Sequence, residues 1–422
     1  MKLVHAADLH LDSPLTGLSR YEGAPVEEIR GATRRALSNL VDLCVEEEAA
    51  ALLLVGDLFD GNWRDYSTGL FFAAQMSRLR QAGVRVVMVR GNHDAASHIS
   101  RSLSLPDNVR ELSTRAAETV IFEELGLAFH GQGFPNRKVP DDLAARYPKA
   151  LPDLLNVGLL HTSADGRPGH DTYAPCNLET LLDKGYDYWA LGHVHAREVL
   201  HEDPWVVFPG NLQGRHARES EPKGATLVTA DDGRISSVVH HALDVVRWRV
   251  LSVDAAAAQD MEEVLERARE ALEDAALEAD GRLLACRLQV EGRTGAHGEL
   301  VASQDLLTQE LRAVANDVEG GRVWIEKVKL ATRAQMDLSE LRGRDDAIGQ
   351  LLASVSDLRG DEAALTELLA PLEELRRRLP PELRDGEGGV PLSDVGFVRE
   401  ALEDVAPLLL SRLRVDAGGG GA

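Results

Sequence analysis

Apolar runs alternate with polar clusters and helix-like stretches along the first half of the chain. Five runs have the composition of strands, at residues 3–7, 51–55, 84–89, 154–160 and 186–191. In several of them the apolar residues are consecutive, as expected for strands that are buried on both faces. Helices are predicted between them, for example over residues 26–48 and 66–82. The first part of the chain is therefore predicted to be an α/β domain with central strands and outer helices.

A second series of elements is predicted after several shorter β segments. Strands at residues 247–253, 283–290 and 322–330 alternate with helices at 256–279 and 303–317. This order predicts a small open sheet with helices on one face. Beyond residue 333 the β signals stop, and leucines at helical spacing predict helices over 361–379 and 393–413.

These changes of pattern predict four segments in the 422-residue chain. We expect a first domain at residues 1–243, a small α/β domain at 244–333 and a helical region at 334–416. The glycine-rich tail at 417–422 is predicted to be disordered.

The composition argues against several classes of protein. The chain has 46 Lys and Arg against 69 Asp and Glu, a net charge of −23. That balance argues against a protein that coats nucleic acid, but it allows an enzyme that grips phosphates in one groove. No apolar run approaches the ~20 residues of a membrane helix, and the first residues include Asp and His where a signal peptide is apolar. The three cysteines form neither a disulfide framework nor a zinc motif. We expect a cytoplasmic protein without a membrane segment.

Five polar clusters directly follow five of the predicted strands. They are Asp8-Leu9-His10, Gly56-Asp57, Gly91-Asn92-His93-Asp94, His161, and Gly192-His193-Val194-His195. Each cluster alone could be an ordinary turn or a surface group. In an α/β sheet, however, ligands bind beyond the carboxyl ends of the strands. The repeated placement of the clusters therefore predicts that their side chains meet at one edge.

The residue types in these clusters indicate metal binding. Carboxylate, amide and imidazole groups without thiolates suit Mn²⁺, Fe²⁺ or Zn²⁺. Seven ligands are too many for one ion and suit two, and a pair of ions is the arrangement for displacement at phosphorus. His93 lies next to a ligand candidate but outside the ligand set, and it suits the role of proton donor to the leaving oxygen.

The same clusters resemble the motifs of the calcineurin-like metallophosphoesterase superfamily. The similarity is greater to its bacterial DNA-repair exonuclease branch, typified by the nuclease subunit SbcD of the SbcCD complex. The strings that carry it are HAADLHLD (5–12), GDLFD (56–60), VRGNHD (89–94) and YDYWALGHVH (186–195). The resemblance covers about residues 1–240. It implies a β-sandwich flanked by helices, with a small α/β capping domain and a C-terminal helical segment.

The resemblance also implies roles for individual residues. One ion would be held by Asp8, His10 and His195 and the other by Asn92, His161 and His193, with Asp57 bridging the two. His93 would act on the scissile phosphodiester, and Asp60 and Asp94 would support the ligands. The phosphoprotein phosphatases of the superfamily carry Arg-Gly after the second motif and Glu at the end of the third. Here Gly61-Asn62 and Asp94 stand at those places, which argues against that activity.

A loop after Pro209-Gly210-Asn211 supplies further candidates. Gln213, Arg215 and His216 could reach the rim of the site, where an arginine could hold a phosphate. A loop arginine that faces solvent is an equally good interpretation.

The resemblance implies DNA as substrate and an SMC-like ABC ATPase with a coiled coil as partner. The helical stripes at 365–379 and 397–413 could dock it or could pack on their own domain. Members of the family commonly form homodimers. The predicted function is two-metal phosphodiester hydrolysis with Mn²⁺, by a DNA exonuclease or endonuclease in DNA repair. The alternative is a phosphodiesterase or phosphatase that acts on small nucleotides or other phosphoesters, which the net charge of −23 favours.

Overall fold

The computed structural model describes residues 1–13, 25–60, 66–96, 103–164, 173–335, 346–379, 392–402 and 405. The predicted tail at 417–422, Gly61-Asn62 and most of residues 403–413 lie outside the described residues. The chain divides into two compact units. Unit 1 comprises Met1–Val250 and Ala276–Cys286, and unit 2 comprises Leu251–Ala275 and Arg287–Ala422.

The described residues form fifteen strands, ten α-helices whose bounds follow, and a further helical segment at 395–402. The strands are β1 (Lys2–Ala6), β2 (Ala51–Val55), β3 (Arg85–Val89), β4 (Val109–Glu111), β5 (Glu118–Phe122), β6 (Leu127–Gly131), β7 (Leu155–His161), β8 (Tyr188–Gly192), β9 (Glu198–Glu202), β10 (Trp205–Phe208), β11 (Gly224–Asp231), β12 (Arg234–Ala242), β13 (Val246–Asp254), β14 (Leu283–Thr294) and β15 (Val323–Ala334). The helices are α1 (Val26–Arg30), α2 (Ala32–Glu46), α3 (Tyr66–Gln81), α4 (Asn92–Ala96), α5 (Leu178–Leu182), α6 (Met261–Glu278), α7 (His297–Ala302), α8 (Gln304–Asp317), α9 (Ala347–Gly360) and α10 (Glu362–Arg378).

Unit 1 is built on two six-stranded sheets. The first has the order β12-β11-β1-β2-β3-β4 and the second the order β5-β6-β7-β8-β10-β9. In the first sheet β1 to β4 are parallel, and β11 and β12 pair antiparallel. In the second sheet β6, β7, β8 and β10 are parallel, with antiparallel strands at both edges. The parallel strands of each sheet therefore end together, and loops at those ends can converge.

The apolar runs are consecutive because the first sheet is buried on both faces. On β2, Leu53 and Val55 pack with residues of the second sheet such as Phe129. Leu52 and Leu54 point the other way and pack with residues of α2 and α3. Burial of each such side chain stabilises the fold by about 1.5–3 kcal/mol. The predicted fold class, a sandwich of sheets flanked by helices, is confirmed.

The third sheet has three strands in the order β13-β14-β15. In unit 2 the apolar stripe of α10 is partly buried. Leu365 packs with Val398 and Leu402, which lie in the helical segment 395–402. No helix in the described parts of the chain is long and apolar enough to cross a membrane.

Candidate metal centre

The predicted ligands come together at one edge of unit 1. Asp8 and His10 follow β1, Asp57 follows β2, Asn92 begins α4 directly after β3, His161 ends β7, and His193 and His195 follow β8. In the first sheet β1, β2 and β3 run parallel to one another, and in the second sheet β7 and β8 do. Their carboxyl ends therefore deliver ligands from both sheets to one place, as the sequence pattern predicts.

Asp8, His10 and His195 form the first group. Their ligand atoms all lie within 4.8 Å of one another. Asp8 Oδ2 accepts a hydrogen bond of 2.9 Å from the backbone N–H of His193. Asp8 Oδ1 is buried and has no hydrogen-bond partner among the described residues. Such an atom costs free energy unless something pairs with it, and a cation at this group would do so.

Two further carboxylates fix the rings of this group. His10 Nδ1 lies 2.7 Å from Asp60 Oδ1, and His195 Nδ1 lies 2.7 Å from Glu219 Oε1. An ionised carboxylate only accepts, so each Nδ1 donates and each Nε2 of the neutral ring keeps a lone pair. The two Nε2 atoms face each other at 3.3 Å. Two lone pairs repel at that distance unless a positive charge lies near both, so the residues fit a divalent metal ion.

Asp57, His161 and His193 form the second group, again with ligand atoms within 4.8 Å. His161 Nδ1 donates to the carbonyl oxygen of Val55 at 3.0 Å, which leaves Nε2 for the centre. That Nε2 lies 3.0 Å from Asn92 Oδ1 and 3.5 Å from Asp57 Oδ2. Both neighbours are acceptors, so this group also fits a cation.

In the second group, a carboxylate and an imidazole stabilise each other's charged form. Burial alone would lower the pKa of His161, but the Asp57 carboxylate outweighs it and raises the pKa to about 9. Burial likewise disfavours the charge of Asp57, and the interaction with His161 still holds its pKa well below the usual range. In the metal-free chain a proton on His161 thus compensates the carboxylate, and a bound cation would replace it.

Asp94 supports the loops rather than the ions. Its carboxylate accepts hydrogen bonds from the backbone N–H groups of Leu58, Phe59 and Gly91. It therefore ties the loop after β2 to the loop after β3. Burial, with the nearby charge of Asp57, raises the pKa of Asp94 to about 7.

His93 lies at the rim, next to Asp60. Its side chain is 34% exposed, and its Nδ1 is 3.1 Å from Asp60 Oδ1. That hydrogen bond raises the pKa of His93. Burial would raise the pKa of Asp60, but the hydrogen bonds from His10 and His93 lower it well below its usual range. His10, Asp60 and His93 also form a close group of three, which these hydrogen bonds to one carboxylate explain.

Two glycines permit the close approach of these loops. A Cβ on Gly192 would lie 1.9 Å from the Val55 carbonyl oxygen, and one on Gly91 would lie 2.2 Å from Asp57 Oδ1. No real Cβ contact is that short, so any side chain there would displace a ligand-bearing loop.

The loop after Pro209 contributes differently from the prediction. Gln213 is buried and bonds to the backbone of Gly214, Val245 and Val246, so it is a structural residue and not part of the rim. His216 is 56% exposed, with Nε2 3.8 Å from Glu219 Oε1. The guanidinium of Arg215 lies 3.9 Å from Asp60 and 3.6 Å from Glu219, at the rim. Glu219 is a further residue of the site that the sequence does not predict, because no spacing rule links it to His195.

The comparisons with known proteins agree with this architecture. The calcineurin-like phosphoesterase family model matches residues 1–197. A second model, the middle domain of the metallophosphoesterase YhaO, matches residues 248–333. The chain belongs to the calcineurin-like metallophosphoesterase family, whose members use divalent metal ions for phosphoester hydrolysis.

Two curated relatives are similar over most of the chain. The uncharacterized metallophosphoesterase YhaO of Bacillus subtilis is 33% identical over 347 residues, which are 81% of this chain and 84% of that protein. The DNA double-strand break repair protein Mre11 of Methanopyrus kandleri is 29% identical over 303 residues, 63% of this chain and 62% of that protein. A solved dimetal phosphatase from Danio rerio is 12% identical, and the match covers 55% of this chain and 93% of that one, with a TM-score of 0.35.

Proposed function

We propose that the chain is a two-metal-ion phosphodiester hydrolase that cuts DNA in repair. The observation that supports a metal-dependent hydrolase is the geometry of the two ligand groups. In each group an imidazole Nε2 faces another hydrogen-bond acceptor, an arrangement that a bound cation would stabilise. Asp8, His10 and His195 would hold one ion, Asn92, His161 and His193 the other, and Asp57 would contact both. Such a pair supplies hydroxide near neutral pH and neutralises charge on the phosphate oxygens. We propose Mn²⁺ as the metal, with Fe²⁺ and Zn²⁺ as alternatives.

The protein's own groups at the rim complete the chemistry. Asp60 holds His93 through Nδ1 at 3.1 Å, which leaves Nε2 for a bound substrate. Because the same hydrogen bond raises the pKa of His93, the ring can give a proton from Nε2 to the leaving oxygen. Arg215 is partly exposed beside Asp60 and Glu219, where its guanidinium can pair with a non-bridging phosphate oxygen.

The relative named for DNA double-strand break repair supports DNA as the substrate. Its match covers 63% of this chain, more than the residues 1–197 that the phosphoesterase model matches. The net charge of −23 favours the second candidate, hydrolysis of a small phosphoester, because long DNA contacts require cationic surface.

The proposal includes an SMC-like ABC ATPase with a coiled coil as partner. On α10, Leu368 is 36% exposed and Leu375 is 50% exposed, seven residues apart on one face. That face suits a helix-in-groove contact, whereas Leu365 on the same helix is already buried. A homodimer and a cytoplasmic location are also part of this proposal.

The proposal is tested by Mn²⁺-dependent cleavage of end-labelled linear duplex DNA, run beside a small chromogenic phosphodiester. We expect loss of label from the wild type, and a fall in kcat of about 10²–10⁴-fold for His93→Ala, because the proton donor is removed. His201→Ala is the control, since that ring lies on β9 and bonds to Pro204 O.

Turnover of the small diester with intact DNA, even with an SMC-like ATPase added, would favour the second candidate. Absence of both activities in protein that binds Mn²⁺ would contradict phosphodiester hydrolysis. A His93→Ala enzyme as fast as wild type would contradict the role of that residue.

A further inference from the structure

Glu219 lies buried behind the first ligand group, and none of the sequence motifs includes it. It is 7% exposed and uses both carboxylate oxygens. Oε1 accepts from His195 Nδ1 at 2.7 Å, and Oε2 accepts from Arg215 N at 2.7 Å and Asn211 Nδ2 at 3.0 Å. One carboxylate thus contacts a ligand candidate and the backbone of the rim arginine.

Asn211 connects this carboxylate to the end of β1. It forms a parallel bridge with Ala7, the residue before Asp8, and its backbone N–H donates to His195 O at 3.3 Å. Its side chain also donates to Gln213 O at 2.8 Å. The Pro-Gly-Asn segment therefore holds the loop that carries Glu219 against the segments that follow β1 and β8, both of which carry ligand candidates.

We propose that Glu219 is a positioning residue for the metal centre. By accepting the Nδ1 proton of His195, it keeps the lone pair of Nε2 directed at the ion shared with Asp8 and His10. Through its second oxygen it holds Arg215 at the rim, so one residue sets both a ligand and a substrate contact. The inference rests on the metal centre of the proposed function and is independent of the substrate.

The substitution Glu219→Gln reverses the decisive hydrogen bond with almost no change of shape. Two N–H donors face Oε2, so the amide oxygen of glutamine will take that position and its NH₂ will face His195. His195 Nδ1 then becomes an acceptor, and the proton of the neutral ring moves to Nε2, where it blocks the ion. We expect the affinity for one of two Mn²⁺ ions to fall 10–100-fold.

The experiment is calorimetric titration of Mn²⁺ into chelator-treated full-length protein, with melting curves for each variant. Glu326→Gln is the matched control, because Glu326 is also 7% exposed and pairs with Arg287 within unit 2, whereas the ligand candidates belong to unit 1. In a His195→Ala background, Glu219→Gln is expected to cause no further loss, since Glu219 acts through that ring.

Wild-type affinity for both ions in folded Glu219→Gln would overturn the inference, as would additive losses in the double variant. If the glutamine variant does not fold, Glu219→Asp is the second test, because it withdraws the carboxylate by one methylene and is expected to weaken the binding of the same ion. Wild-type affinity of the aspartate variant for both ions would also overturn the inference. A wild type that binds no pair of ions would contradict the proposed function itself, which is a separate result.

Discussion

Four of the ligand candidates adopt backbone conformations that side chains usually avoid. The φ angles are 52° for Asp8, 43° for His10, 52° for Asp57 and 101° for His193. A non-glycine residue with positive φ is uncommon, and each costs about 1–3 kcal/mol when the surroundings impose it. These four residues lie where strands of both sheets end. The packing of the sandwich therefore stabilises locally unfavourable loops at the metal edge, by which we mean the edge of unit 1 that carries the seven ligand candidates.

Gly192 lies at the metal edge, where there is no room for a side chain. We expect Gly192→Ala to lower the free energy of unfolding by at least about 1–3 kcal/mol, because the new Cβ would meet Val55 O at 1.9 Å. Val55 O also accepts from His161 Nδ1, so Mn²⁺ binding should weaken as well. Urea unfolding followed by circular dichroism measures the first effect, and Mn²⁺ titration the second.

Gly360 provides the control for that substitution. A Cβ there meets nothing within 4 Å, and its position ends α9. Gly360→Ala is therefore expected to leave stability unchanged or raise it by about 0.4–1 kcal/mol. Equal stability of the Gly192→Ala protein and the wild type would show that the loops can move apart, and would contradict the close packing expected at Gly192.

Elements that contain a clear apolar run were predictable from the sequence, and several of the shortest elements were not. The run at 51–55 coincides with β2, because both faces of that strand require apolar residues. The helix predicted at 26–48 is interrupted at Gly31, between α1 and α2. Neither β4 nor α4 was predicted, since three to five residues are too few to show a period. The fourteen-residue α9 lies in the helical region predicted at 334–416, but no helix was assigned to its residues; its first turn includes Gly349, a poor helix former.

Helix α10 contains a matched pair of leucines with different surroundings. Leu365 is fully buried against Val398 and Leu402, whereas Leu375 is 50% exposed. We expect Leu365→Ala to lower the stability of this helical cluster by about 2–5 kcal/mol, because it removes a buried side chain and leaves a cavity. Hydrogen exchange of the amides at 362–378 should accelerate accordingly.

Leu375→Ala makes the same chemical change in the same helix at an exposed position. Its effect on exchange should stay within about 0.5 kcal/mol. Equal acceleration in the two variants would mean that burial of Leu365 does not hold α10, and that the helix is stabilised in some other way.

At the scale of the whole molecule, the metal edge depends on topology that the sequence only implies. The seven ligand candidates could be predicted because each follows a strand that is itself recognisable. Glu219 could not, since its contact with His195 depends on how the loop after Asn211 returns to β1. Gln213 was assigned to the rim for the converse reason: its buried amide bonds to the backbone of Val245 and Val246, far along the chain, and no local pattern shows those contacts.

His5 connects the two sheets through polar contacts inside the sandwich. It lies on β1, and its Nε2 donates to Leu191 O on β8 at 3.1 Å, while Nδ1 accepts from Tyr188 OH at 2.9 Å. Burial lowers the pKa of His5 to about 3, against 6.5 for the free side chain. The unfolded chain therefore binds a proton below pH 6.5 that the folded protein does not take up until about pH 3.

This difference makes folding depend on pH with a definite sign. The contribution of His5 is complete above pH 6.5 and is lost as the pH falls towards 3, by about 1.4 kcal/mol for each pH unit. His5→Gln can keep both hydrogen bonds but does not titrate. In urea unfolding with a chelator present, we expect the variant to lose about 1 kcal/mol less than wild type between pH 6 and pH 5. That window lies above the ordinary pKa of the carboxylates, so Asp60 and Glu219 do not yet contribute. Identical losses in the two proteins would mean that His5 takes up its proton without unfolding, and that the contact between β1 and β8 opens in the native state.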